Sequence, residues 1–272
     1  MNNSRAQGFS PRWIVLSLGV IVLAGVFIRL GFWQLDRLSQ RKAENARLES
    51  RMAAPVFVLS GSSGPVDAAA LEFRTVSVTG QYDFDHQVAL ASRTYNGQLG
   101  IDLLTPLMVQ GSREAVLVDR GWIPVSDLQR SAWVKYNQPG QVTLKGMVLA
   151  SQIGAGPSIP VTGSSTAQQD LWSSPVVQRI QNQVPEKLIP FYIQEIPDPD
   201  RTSLPYIRDP QIDLSNGPHL GYAIEWFSFA AVVLVGYPFW IRRQLRHRRS
   251  GQSEIPKDGS VRESGNDQEA EY

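Results

Sequence analysis

Residues 13–35 read WIVLSLGVIVLAGVFIRLGFWQL, and this stretch decides the architecture. From Trp13 to Ile28 there is no charge, and beyond Arg29 the run continues through Leu30, Gly31, Phe32, Trp33, Gln34 and Leu35. As a helix it measures roughly 34 Å, enough to cross a bilayer with some tilt. A cleaved signal peptide would need small residues at its cleavage site, and Phe32-Trp33-Gln34 is the reverse. The segment is read as a retained transmembrane helix.

A second apolar block occupies 222–241, with one charge, Glu225, and with Trp226, Tyr237 and Trp240 towards its ends. It runs into Arg242, Arg243, Arg246, Arg248 and Arg249, the kind of basic cluster that stays cytoplasmic. Arg37, Arg41, Lys42, Arg47 and Arg51 after the first span argue the opposite orientation, but the denser cluster directly at the membrane decides. The expected layout is a cytoplasmic tail (1–12), a span (13–35), an extracytoplasmic domain (36–218), a second span (219–241) and a basic then disordered cytoplasmic tail (242–272). The rest of the composition is mostly exclusive in its message. The 272 residues hold 26 basic and 25 acidic groups and no cysteine. That removes disulfide scaffolds, zinc fingers, thiol chemistry and polybasic nucleic-acid binders.

Within the central domain, residues 36–51 lack proline and glycine and continue the first span as a helical stalk, broken at Gly61-Ser62-Ser63-Gly64-Pro65. From Phe73 the period changes to two, giving a strand that ends at Gly80. Segments 87–95 and 98–109 flank Asn96-Gly97, the dipeptide best suited to a type I′ hairpin. Thr105-Pro106 predicts that the second arm is an edge or bulged strand. Further strands are predicted at 114–119, 141–150 and 191–196, a loop at 154–168 and a helix at 170–182. The expected fold is a membrane protein with two terminal transmembrane helices flanking a β-rich α+β domain, an antiparallel sheet or partly closed barrel.

Candidate chemistry is sparse. His86, in Tyr82-Asp83-Phe84-Asp85-His86-Gln87, offers a metal reading with Asp83 and Asp85, but aspartates of this kind more simply build a turn. No serine-hydrolase elbow or phosphate-binding glycine loop is present, so the chain is not read as an enzyme. The second span is richer. At 100° per residue, His219, Tyr222, Ala223, Trp226, Ala230, Val233 and Tyr237 share one face. Such a stripe suits a planar hydrophobic ligand with an axial metal on His219, and equally suits helix packing. Arg29 and Glu225 lie at matching depth, about 9 Å from the outer ends of the spans. An ion pair between them, snorkelling of Arg29, and contact of Arg29 with an anionic ligand group are all open.

Four patches, in order, resemble the surfeit-locus-one (Shy-type) family of cytochrome c oxidase assembly factors. They are Gly31-Phe32-Trp33-Gln34-Leu35-Asp36-Arg37 with Arg41-Lys42; Phe73 to Gly80; Thr105-Pro106-Leu107 with Asp119-Arg120-Gly121-Trp122-Ile123-Pro124; and Asn216-Gly217-Pro218-His219-Leu220-Gly221-Tyr222-Ala223-Ile224-Glu225-Trp226. The likeness spans nearly 13–241. Gly217-Pro218 departs from it where relatives often carry a second asparagine, and Asp119 where asparagine is frequent. Without the likeness, Arg120-Gly121-Trp122-Ile123-Pro124 reads as a strand end with Trp122 as a core plug, and Trp33-Gln34 as an interfacial anchor.

The resemblance implies assistance in assembling haem-copper oxidase, with haem a as the cofactor and His219 as its metal ligand. Tyr222 and Trp226 would then form a wall, and Arg29 and Arg37 would meet propionates. The implied partners are the oxidase catalytic subunit, the haem a synthesis machinery and the lipid bilayer, with no nucleic acid. A scaffold that docks oxidase subunits without haem is the alternative. The twelve residues before Trp13 are short for a mitochondrial presequence, so a bacterial inner membrane is expected, with the central domain periplasmic.

Overall fold

The computed structural model describes residues 11–61, 66–151 and 170–250. The predicted loop at 154–168 and the tail after Ser250 lie outside them. The described residues form two compact units, one from the chain up to Lys42 together with the chain from Asn216 onward, and the other from the chain between them.

The first unit contains two helices long and apolar enough to cross a membrane. Helix α1 runs without interruption over Pro11–Met52, and α4 covers His219–Ser250. The stalk expected beyond the first span is thus continuous with it. It ends earlier than the glycine-rich segment predicted, because the residue before a proline avoids the helical region and Pro55 follows Ala53-Ala54. A short strand β1, Phe57–Leu59, follows where none was expected.

The second unit continues with α2 (Ala68–Leu71), β2 (Thr75–Tyr82), β3 (Val88–Tyr95), β4 (Gln98–Val109), β5 (Glu114–Pro124), β6 (Gln141–Ala150), β7 (Leu171–Trp172), α3 (Val177–Ile180) and β8 (Lys187–Glu195). The sheet order is β1-β2-β6-β8-β5-β4-β3-β7, and an additional pairing of β2 with β4 closes β2, β6, β8, β5 and β4 into a five-stranded barrel. The hairpin at Asn96-Gly97 forms as predicted, with φ of 48° and 76° and Tyr95 opposite Gln98. Not every pairing is antiparallel: β8 lies parallel to β5, β1 to β2, and β7 to β3.

Three expectations are corrected. Strand β4 is interior and not an edge, with β5 on one side and β3 then β2 on the other, while it carries the irregularity expected of that arm as a register shift between Asp102 and Leu104 in its pairing with β5. It tolerates Pro106 because the Pro106 carbonyl accepts from Asp83 N, so the proline nitrogen faces the same side, between the last β3 pair (Leu104) and the first β2 pair (Leu107). Gly80 does not end β2. It lies at the closing seam, where a Cβ would come within 2.2 Å of the Met108 carbonyl oxygen. Of the helix expected at 170–182 only the second half forms, as α3 followed directly by a 3-10 turn at Gln181–Gln183, because Pro175 interrupts it and Leu171–Trp172 pairs with Ala89 and Leu90 instead.

Val76, Val78, Leu107, Val116, Val118, Leu144, Val148, Phe191 and Ile193 form the main core. A second cluster packs Ile180 and Val184 against Val88, Leu104 and Leu117. The domain's two chain ends are tied together by Asn45, whose amide donates to the carbonyls of Leu214 (2.6 Å) and Ser215 (3.3 Å).

Candidate functional site

In the helical unit α1 and α4 run antiparallel along one seam. Trp13 meets Trp240 (5.6 Å between ring centres), Ser17 hydrogen-bonds Tyr237 (2.7 Å), and Phe27 meets Trp226 (5.7 Å). Ala24, Ala223 and Ala230 are buried in the seam, since small side chains let the backbones approach. At Gly31 an added Cβ would lie 2.6 Å from the Phe227 ring.

At the end of the seam His219 is half-buried, and its Nδ1 lies 2.9 Å from Oε1 of the buried Gln34. The stripe read on α4 is therefore the helix-packing face for His219, Ala223, Trp226, Ala230, Val233 and Tyr237. Tyr222 departs from it and is 46% exposed. Arg29 and Arg37 are exposed, and Arg37 donates to Gln40 Oε1 at 2.9 Å. Of the five predicted site residues, His219 and Trp226 are brought to the seam, while Tyr222, Arg29 and Arg37 lie outside it. Arg29 and Glu225 form no ion pair with each other: both are exposed, on faces turned away from the seam. Matching depth on two helices is not sufficient when the angular positions oppose. Gln34, read from sequence as an interfacial anchor, is the partner that reasoning missed. Its signal was the antiparallel register, which sets a polar residue near the outer end of one span opposite a polar residue at the start of the other.

The barrel domain carries its own buried polar groups. His86 belongs to a turn: Asp83 Oδ1 accepts from the backbone N–H groups of Asp85 and His86, and Asp83 Oδ2 lies 2.5 Å from His86 Nδ1. Arg120 is wholly buried on the side of β5 that bears Val116 and Val118. Its guanidinium stacks over Tyr82 (4.7 Å) and Phe84 (5.3 Å) and donates to Gln87 Oε1 (3.1 Å) and the Tyr136 carbonyl (2.5 Å). Burial pulls its pKa below the usual guanidinium value, against the stabilising pull of Tyr82.

Trp122 is the core plug expected of the Arg-Gly-Trp motif, although the strand continues through it. It exchanges backbone hydrogen bonds with Tyr206, and Tyr95, Trp122 and Tyr206 stack. Asp102 is held by Arg208 and Arg93. Asp119 accepts from Gly121 N (3.0 Å); burial, with the Asp102 charge adding to it, pushes its carboxyl up to about 7.

The family model described as the SURF1 family matches residues 21–231, and so takes in both the seam and the barrel. A SURF1-like protein of Monosiga brevicollis is 24% identical over 261 residues, covering 92% of this chain and 95% of the relative. The Surfeit locus protein 1 of Xenopus tropicalis is 23% identical, covering 86% of this chain and 76% of the relative. The cytochrome oxidase assembly protein SHY1 of Saccharomyces cerevisiae is 30% identical over 122 residues, covering 45% of this chain and 31% of the relative. With its two apolar helices, its closed barrel and a match over most of its length, the chain belongs to the SURF1 family.

Proposed function

We propose that this chain is a non-catalytic assembly factor for a haem-copper oxidase, which carries haem a as cargo at the outer end of its two membrane spans. The single observation behind the reading is His219: a half-buried imidazole at the start of an apolar helix, with Nδ1 engaged by Gln34 and Nε2 without a hydrogen-bond partner among the described residues. Imidazole is a common ligand of haem iron, and Nε2 of His219 would hold the iron here. Trp226 lines the seam two turns further along α4. Tyr222 on the exposed flank offers a ring and a hydroxyl, and Arg37, one turn beyond Gln34, offers a cation for a propionate, whereas Arg29 is turned away from the seam. Haem a as cargo would supply the iron that His219 binds and later gives up.

The role in oxidase assembly comes from the name of the SHY1 relative and from family membership. On this reading the oxidase catalytic subunit and the haem a synthesis machinery are the partners. The chain sits in a bacterial inner membrane with both termini cytoplasmic and the barrel periplasmic.

The test is the visible spectrum of the detergent-purified chain, co-expressed with a source of haem a, for the native protein and His219→Ala. A Soret band and a haem a α-band that disappear in the variant are expected. A native chain that stays colourless where a control haem protein fills would overturn haem carriage and leave a scaffold for oxidase subunits.

A further inference from the structure

The contact between Gln34 and His219 has a chemical direction. An amide oxygen can only accept, so the hydrogen bond that His219 Nδ1 makes to Gln34 Oε1 at 2.9 Å is donated by the ring and requires the proton on Nδ1. A neutral imidazole has one such proton, and Nε2 is then left with its lone pair. Gln34 is well placed to impose this choice, being only 8% exposed in the seam and carried on a continuous helix. The opposite edge of the ring faces Gly217, whose φ is +66°. A Cβ there would lie 3.4 Å from both Cδ2 and Nε2, so glycine leaves that edge uncovered.

We infer that Gln34 is a positioning residue: it holds His219 in the Nδ1–H tautomer, so that Nε2 is presented past Gly217 as the ligand atom. The tautomer half concerns the protein without cargo, whereas the identity of what Nε2 meets rests on the haem reading. Partners of this kind, which accept the N–H of the far ring nitrogen, fix imidazole orientation and typically alter metal affinity about 10–100-fold.

The experiment uses the full chain in detergent with ¹⁵N-labelled histidine, the His219 signals being identified by their loss in His219→Ala. At a pH where the ring is neutral, native His219 should show a protonated Nδ1 and a bare Nε2. Gln34→Glu keeps an acceptor at the same reach and should keep that pattern. Gln34→Met, of similar length and without an acceptor, should move the proton towards Nε2. Titration with ferric haem a should then give about 10–100-fold weaker binding for Gln34→Met, with Gln34→Glu closer to native.

A native protein with its proton on Nε2 overturns the inference, even if Gln34→Met does not fold. So does a folded Gln34→Met whose ring signals match the native ones. If the tautomers behave as expected while the native chain takes no haem a, the positioning by Gln34 stands and the haem reading of the preceding subsection falls.

Discussion

Arg120→Ala is expected to lower stability by about 3–5 kcal/mol, a large share of the roughly 5–15 kcal/mol that holds a typical domain together. The substitution removes two hydrogen bonds from a charged donor, each worth about 1.5–3 kcal/mol, and strands the Tyr136 carbonyl. It also opens a cavity between the Tyr82 and Phe84 rings, which close on the guanidinium at 4.7 and 5.3 Å. Gln87 suffers less, because Thr105 still donates to its Oε1 at 2.6 Å. Arg120→Lys should fall in between, since one ammonium cannot reproduce a planar fork. Denaturant unfolding of the full chain, followed by tryptophan fluorescence, measures both. An alanine variant within about 1 kcal/mol of native would mean that the cost of burying the cation cancels its contacts.

Asp119→Asn should make the barrel more stable at pH 8 and flatten its pH dependence. In the folded protein this carboxyl titrates at about 7 against an ordinary 3.8, mainly because burial disfavours its charge. Between those values the folded state keeps a proton that the unfolded chain has released. Native stability therefore falls as pH rises from about 4 to 7, by at most about 1.4 kcal/mol per pH unit from this group, and levels off above. Asparagine keeps the Oδ1 acceptor for Gly121 N and carries no charge to bury. Asp102 and Glu195, also raised by burial, push in the same direction, and because the Asp102 charge bears on Asp119, the native-minus-variant difference reads Asp119 together with its interaction with Asp102. A variant whose stability declines with pH in parallel with the native protein would show that the charge is already accommodated.

The two long helices were legible in the sequence because length and unbroken apolarity are properties of the chain alone. So was the turn at Asn96-Gly97, whose two positive φ angles are a local demand. What escaped depended on residues distant in sequence. The closure of β2 on β4 is invisible in either strand, since β2 alternates as any half-buried strand does and β4 is a nearly continuous buried run that names no partner. Residues 170–182 carry a helical pattern, but Leu171 and Trp172 find partners in β3, some eighty positions earlier. For the candidate site, His219 and Trp226 were found from their spacing on one helix, whereas Gln34 needed the register between two. Arg29 and Glu225 were matched by depth, but the seam took the faces of both helices that point away from the two charges.

The last strand of the barrel is not its last stave. β8, ending at Glu195, lies between β5 and β6, both of which precede it in the chain. A nascent polypeptide thus holds an open sheet with two unsatisfied edges until that strand arrives, however much of the domain has already been synthesised. A premature stop anywhere before β8 would not leave a slightly smaller domain. It would leave an unclosed one, exposed to aggregation and degradation, so chains truncated before the end of β8 should fail to accumulate.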